Sequence, residues 1–105
     1  MSLNQSVLIC DQVNPILKEV LEKNGLKVTY EPEITPEQIA EKIGNFEVVV
    51  VRSRTKMTRE LIAKADKCKI IARVGIGLDN IDQEAAKEKN IRVINAVEGA
   101  ITAVA

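Results

Sequence analysis

The sequence predicts an α/β fold, in which helices cover the faces of a parallel sheet. Three observations lead to this prediction. Short apolar runs rich in valine and isoleucine alternate with segments of helical periodicity, which is typical of βαβ units. Glycine, proline and helix-capping residues separate these segments. The strongest run, four consecutive valines at 48–51, suits a strand that is covered on both faces.

Five segments have the composition of buried strands. They are residues 7–10, 26–30, 47–51, 69–72 and 91–94. Because helical segments connect consecutive strands, the strands are expected to run parallel with right-handed crossovers. This arrangement predicts a flavodoxin-like three-layer sandwich with a five-stranded parallel sheet in the order 2-1-3-4-5.

The predicted helices begin at recognisable caps. The cap residues are Asn14 before Pro15, Thr35 in the capping box Thr35-Pro36-Glu37-Gln38, Thr58 and Asp82. Gly25 is expected to end the first helix and Gly44 the second. The side chains expected to face the sheet are Ile16, Leu17, Val20 and Leu21 on the first helix, Ile39, Ala40 and Ile43 on the second, and Leu61, Ile62 and Ala65 on the third.

Length and charge limit the classes of function. The 105 residues make one domain, whose core must be aliphatic because only 2% of the residues are aromatic. Fifteen basic and fifteen acidic side chains cancel, so we expect binding to neither nucleic acid nor an anionic membrane. No apolar segment approaches the ~20 residues that cross a bilayer.

Cysteine and histidine usage adds two expectations. Cys10 and Cys68 match no metal-binding or redox spacing, so we expect buried free thiols, no metal site and a cytoplasmic location. The chain contains no histidine, the usual acid or base near neutral pH, which argues against a complete active site.

Two arginines follow the third predicted strand and are the first candidates for ligand binding. Guanidinium groups of Arg52 and Arg54 can bind carboxylate or phosphate bidentately, and Ser53 adds a neutral donor. The alternative is a solvated basic loop, and the local sequence leaves both interpretations open. Asp11 stands where receiver domains carry a phospho-acceptor, but Arg52 occupies the position of a required aspartate, so that function is rejected.

A glycine turn follows the fourth predicted strand. Gly75-Ile76-Gly77 is not a dinucleotide fingerprint, because Asn80 replaces the third glycine and no suitable acidic residue follows. The turn could instead present backbone N–H groups to a ligand, or it could be an ordinary strand-to-helix bend.

The two segments VVVVRSRTKMTRELI and IIARVGIGLDNID together resemble the substrate-binding domain of the D-2-hydroxyacid dehydrogenase family, as does IRVINAVEGA after them. The resemblance covers nearly the whole chain. It implies that Arg52, Ser53 and Arg54 bind the anionic groups of the substrate. It also implies that the backbone of Val74, Gly75 and Gly77 meets the carboxylate end of a small 2-hydroxy or 2-oxo acid, with or without a phosphate.

The resemblance further implies that a second, Rossmann-type domain binds NAD and supplies the catalytic residues. We therefore expect a substrate-binding domain at 1–99 and the start of a truncated interdomain helix at 100–105. The NAD-binding domain is expected to be absent. This chain alone would then have no catalytic residues, cofactor or dehydrogenase activity. Val97 and Ala100 differ from the family's usual residues at the hinge.

Two alternatives remain open. The chain could be a non-catalytic flavodoxin-like module for binding or self-association, or a transcriptional-corepressor relative of the same family. A face left apolar by truncation would favour self-association. Titration of a small acid into the wild-type chain and Arg52→Ala discriminates between a substrate lobe and a non-catalytic module.

Overall fold

The computed structural model of the chain describes residues 6–75, 80–97 and 100–104. Its strands are β1 Ser6–Ile9, β2 Lys27–Tyr30, β3 Val48–Val51, β4 Ile70–Val74, β5 Arg92–Val97 and β6 Ala100–Val104. Its helices are α1 Pro15–Lys23, α2 Pro36–Lys42, α3 Arg59–Ala63 and α4 Gln83–Glu88, and a 3₁₀ turn at Ile43–Asn45 extends α2.

The sheet confirms the predicted fold class. Its order is β2-β1-β3-β4-β5-β6, and the first five strands are mutually parallel. The order 2-1-3-4-5 is therefore correct. Since parallel strands end at the same edge, the segments that follow β1, β3 and β4 lie together at the carboxyl edge of the sheet.

The prediction of a helix beginning at residue 100 is wrong. Ala100–Val104 instead forms β6, which runs antiparallel to β5 with Val97 opposite Ala100 and Val93 opposite Val104. Strand β5 also extends three residues beyond its predicted end at Ile94. The segment contains β-branched residues that favour a strand, and pairing satisfies backbone groups along the edge of β5.

Helices cover the sheet unequally. The larger core cluster, on what we call the first face, joins the strands to buried residues of α2, α3 and α4. The smaller cluster, on the second face, contains five buried residues, and Leu17 and Leu21 of α1 pack against it. These two faces, with the sheet between them, confirm the three-layer arrangement.

The predicted apolar face of α1 is only partly correct. Leu17 and Leu21 pack against the second face, but Ile16 is 60% exposed and Val20 48% exposed. At about 100° per residue, the four apolar side chains form a stripe of about 140°. Since only the Leu17–Leu21 side of the stripe meets the sheet, its other side faces solvent.

The structure confirms the helix caps. The side chains of Asn14, Thr35, Thr58 and Asp82 each accept a hydrogen bond from a backbone N–H in the first turn of the following helix. Gly25 follows α1 with φ of 85°, a left-handed conformation that suits glycine. The core residues predicted on α2 and α3 are buried or packed against the core.

Cys10 and Cys68 are both free and buried, as predicted. Across the described ranges, no helix is long and apolar enough to cross a membrane. The same ranges contain no group of three or more residues suited to binding a metal ion.

Candidate functional site

The segment Arg52–Thr55, which we call the arginine loop, follows β3 and is fastened to a buried carboxylate. The backbone N–H groups of Arg52 and Thr55 both donate to Asp11 Oδ2, at 2.6 and 3.0 Å. The Thr55 hydroxyl donates to Asp11 Oδ1 at 2.5 Å. Asp11 lies two residues beyond the end of β1, the neighbour of β3, and is only 2% exposed. Hydrogen bonds to a buried carboxylate therefore fix both ends of the loop.

Asn80 binds the carbonyl groups at the ends of the same loop. Its Nδ2 donates to the backbone oxygens of Arg52 and Thr55, at 2.6 and 2.7 Å. Just beyond the loop, Met57 N–H donates to the Asn80 carbonyl and Asp82 N–H to the Met57 carbonyl. These backbone bonds place Asn80 beside the arginine loop.

The guanidinium of Arg54 is held by hydrogen bonds and an ion pair with other residues of the chain. Its Nη2 donates to the carbonyl oxygens of Cys10, Pro32 and Ile34, at 2.8, 2.9 and 3.1 Å. Its Nε lies 3.1 Å from Asp11 Oδ1. The guanidinium thus links the end of β1, the turn after β2 and the arginine loop.

Arg52 is the more available of the two arginines. Its side chain is exposed, and Nη1 makes one long contact, 3.4 Å, with the Gln12 carbonyl. It borders a cleft of about 450 Å³, lined by Gln12, Pro32, Glu33, Arg52, Ser53 and Arg54. Within the described part of the chain, the backbone N–H groups of Ser53 and Arg54 have no acceptor. The cleft therefore presents cationic and neutral donors, with Glu33 as an opposing charge.

The end of β4 lies beside this loop in the sheet. Val51 pairs with Arg73, so Arg52 and Val74 are the next residues at the same edge. Val74 is half-buried, and Gly75 has φ of 125°, which strongly favours glycine. Gly77 lies outside the described residues. The structure thus brings five of the six predicted site residues to one edge of the sheet.

Asp11 and Asn80 were not predicted as site residues. For Asp11 a signal existed, because an acidic residue directly after a buried strand shares the carboxyl edge with the residues after β3. For Asn80 the sequence offered no signal, because its contacts with the loop depend on the path of the chain after β4.

The thiol of Cys10, directly before Asp11, is not a candidate nucleophile. Burial, followed by the nearby negative charge of Asp11, raises the pKa of Cys10 to about 12. The thiol is therefore protonated near neutral pH. A hydrogen bond with Glu88 raises the pKa of Arg59, which is not among the residues that line the cleft.

Comparison with known proteins identifies the family. Residues 7–105 match the family model described as "D-isomer specific 2-hydroxyacid dehydrogenase, catalytic domain". The chain belongs to this family. The resemblance found in the sequence is thereby confirmed.

The similar proteins include phosphoglycerate dehydrogenases. The chain is 44% identical over 99 residues to D-3-phosphoglycerate dehydrogenase of Methanocaldococcus jannaschii, covering 94% of this chain and 19% of that relative. It is also 44% identical over 86 residues to hydroxypyruvate reductase of Thermotoga maritima, covering 78% of this chain and 28% of that relative. The chain thus spans about a fifth of the length of the phosphoglycerate dehydrogenases of Methanocaldococcus jannaschii and Sus scrofa.

Solved structures agree with the sequence comparison. NAD⁺-bound 3-phosphoglycerate dehydrogenase of Entamoeba histolytica superposes with a TM-score of 0.77 at 34% identity, covering 88% of this chain and 32% of that chain. A protein of Pyrococcus horikoshii superposes with a TM-score of 0.82 at 29% identity, covering 88% of this chain and 27% of that chain.

Proposed function

We propose that this chain is the substrate-binding lobe of an NAD-dependent D-2-hydroxyacid dehydrogenase that acts on 3-phosphoglycerate in serine biosynthesis. The observation that carries the proposal is the exposed guanidinium of Arg52 beside a cleft of about 450 Å³, on a loop whose backbone is fastened at both ends. A guanidinium on a rigid loop suits a carboxylate or phosphate, because little freedom is lost on binding.

Each residue of the arginine loop that lines the cleft supplies a different donor to the substrate. Arg52 supplies the guanidinium, and Ser53 supplies its hydroxyl and backbone N–H. Arg54 supplies its backbone N–H and positive charge, since its guanidinium already donates to three carbonyl oxygens. We assign the carboxylate end of the substrate to the backbone of Val74, Gly75 and Gly77, on the strength of the family resemblance.

NAD does not fit the glycine turn of this chain. Asn80 stands at the position of the third glycine of a dinucleotide fingerprint, and its side chain donates to the arginine loop. We therefore assign NAD to another part of the enzyme and no catalytic residue to this chain. NAD supplies hydride transfer when bound, and this lobe binds and orients the acid. Two free buried thiols support a reducing, cytoplasmic location.

A calorimetric titration of 3-phosphoglycerate tests the proposal. We expect the wild-type chain to bind and Arg52→Ala to weaken binding at least about 10-fold, the loss typical of one charged hydrogen-bonding partner. Arg92→Ala is the matched control, because Arg92 is an exposed arginine at the start of β5, on the opposite edge of the sheet. Equal weakening by both substitutions would contradict a specific site.

An activity assay tests the proposal that this chain binds the substrate while another part of the enzyme carries out catalysis. We expect no NADH from the purified chain with 3-phosphoglycerate and NAD, because we assign the acid–base pair and the NAD site to another part of the enzyme. NADH formation that survives removal of trace contaminants and depends on Arg52 would overturn the assignment of catalysis to another part of the enzyme.

The exposed side of α1 favours a second candidate, a non-catalytic module that self-associates. Ile16 and Val20 are spaced four residues apart and expose apolar surface. Sedimentation of the wild-type chain and of Ile16→Lys/Val20→Lys tests this candidate. A wild-type dimer that the double substitution dissociates, without 3-phosphoglycerate binding, would favour the module over the substrate lobe.

A further inference from the structure

The two residues that the sequence did not predict, Asp11 and Asn80, contact the same two backbone positions. Asp11 Oδ2 accepts from the N–H groups of Arg52 and Thr55. Asn80 Nδ2 donates to the carbonyl oxygens of Arg52 and Thr55. All four polar backbone groups at the loop ends are therefore bound by two side chains, which we call the Asp11–Asn80 clamp.

The clamp leaves the middle of the loop for a ligand. Between its two ends, the N–H groups of Ser53 and Arg54 have no acceptor in the described part of the chain. A turn whose ends are fixed keeps such N–H groups in one direction, which favours binding of an anionic oxygen.

The charges of the clamp also favour Arg52 as the ligand contact. The buried Asp11 carboxylate is paired with Nε of Arg54 at 3.1 Å, so Arg54 offsets its negative charge. The loop therefore carries a second cation, Arg52, whose exposed guanidinium is not used to neutralise Asp11.

We propose that Asp11 and Asn80 are positioning residues, which fix the arginine loop in its ligand-binding shape before the ligand arrives. The inference rests on the proposed function. It deepens that function by joining the two motifs: Asn80 lies on the segment that follows the glycine turn, and its side chain shapes the loop after β3.

Amide hydrogen exchange of the ligand-free chain tests the clamp directly. In the wild type we expect the Arg52 and Thr55 amides to exchange slowly. Asp11→Asn should accelerate exchange at both amides about 10-fold or more, because a neutral acceptor bonds more weakly than a carboxylate. Exchange at Cys10 N–H, which donates to the Val50 carbonyl, serves as the internal reference.

Amide exchange is also measured in a second variant, Asn80→Ala, and both variants are then titrated with 3-phosphoglycerate. We expect Asp11→Asn and Asn80→Ala to weaken binding about 10-fold while the reference amide and the circular dichroism spectrum stay unchanged. Asp66→Asn and Asn24→Ala are the matched controls, since both residues are exposed and lie outside the cleft. If Asp11→Asn fails to fold, Asn80→Ala carries the test, because Asn80 is only half-buried.

The outcomes separate the two proposals. Unchanged exchange at Arg52 and Thr55 in both variants overturns the clamp. Faster exchange with wild-type affinity overturns a positioning role and leaves a structural one. If the wild-type chain binds no 3-phosphoglycerate, the proposed function fails and the positioning role fails with it, whereas exchange still decides whether the clamp fixes the loop.

Discussion

The arginine loop and helix α1 are attached to the sheet in opposite ways. The loop has no regular secondary structure, yet two side chains bind the N–H and C=O groups at both its ends. Helix α1 is a regular nine-residue element without a single buried residue. Only one side of its apolar stripe packs against the second face of the sheet.

The difference shows that regular structure and firm attachment are separate properties. A helix satisfies its own backbone, so α1 can form with modest packing. A loop must find partners elsewhere, and this one finds them in a buried carboxylate and a carboxamide. Such attachment suits a segment that must present N–H groups and a guanidinium in fixed directions.

The largest expected effect concerns the reactivity of the buried Cys10 thiol, which directly precedes Asp11. In a Cys68→Ser chain, the Cys10 thiol, whose pKa burial raises from 9.0 to about 12, should have roughly 1,000-fold less thiolate at pH 8 than in urea. Labelling with a disulfide reagent, followed by absorbance, measures this. Val20→Cys, in a chain with both native cysteines replaced by serine, should label rapidly from the exposed side of α1.

The sign of the pH dependence follows from the same shift. Folding favours the protonated Cys10 thiol, so its contribution to stability is complete below about pH 9 and is lost as pH rises towards about 12. Cys10→Ser should remove part of the stability loss over this alkaline range. An identical pH dependence in both proteins would contradict a buried Cys10 thiol.

Removal of the Asp11 carboxylate should have the next largest effect. Asp11→Ala leaves the Arg52 and Thr55 N–H groups and the Thr55 hydroxyl without their acceptor, and we expect a loss of about 3 kcal/mol in the free energy of unfolding. Urea denaturation measures the loss, with Asp66→Ala, at an exposed aspartate, as the control. A change as small as the control's would mean that water replaces the carboxylate without cost.

The two arginines of the loop should separate stability from binding. Arg54→Ala removes donors to three carbonyl oxygens and should lower the free energy of unfolding by about 1 kcal/mol, a value reduced because the side chain is half exposed. Arg52→Ala should change it by less than about 0.5 kcal/mol and weaken 3-phosphoglycerate binding. The reverse pattern in urea denaturation and calorimetry would exchange the roles of the two residues.

The smallest effect is expected on α1. Val20→Ala removes a half-exposed side chain and introduces the better helix former, so the two changes should nearly cancel, within about 0.5 kcal/mol. Leu21→Ala, on the packed side of the same helix, is the comparison and should cost more. Equal losses in urea denaturation would mean that the exposed side of α1 is covered in solution.

Much of the fold was predictable because its causes are local. Val48–Val51 is apolar at every position, which only a strand covered on both faces explains well. Asn14, Thr35, Thr58 and Asp82 act on N–H groups within their own first helical turn, so their role as caps follows from nearby sequence. Residues 100–104 were mispredicted because β6 depends on the open edge of β5, a neighbour rather than a local preference.

The same distinction between local and long-range causes applies to the candidate site. From the order of residues along the chain it follows that Arg52, Ser53 and Arg54 come after a buried strand, and that a parallel sheet brings them to the same edge as the glycine turn. Contacts between distant segments, in contrast, explain why Arg54 donates to three carbonyl oxygens while Arg52 stays exposed, and why Asp11 and Asn80 bind the ends of the loop. The two differ because strand order follows from patterns within each segment, whereas the partners of these polar groups lie 20 to 45 positions away in the chain.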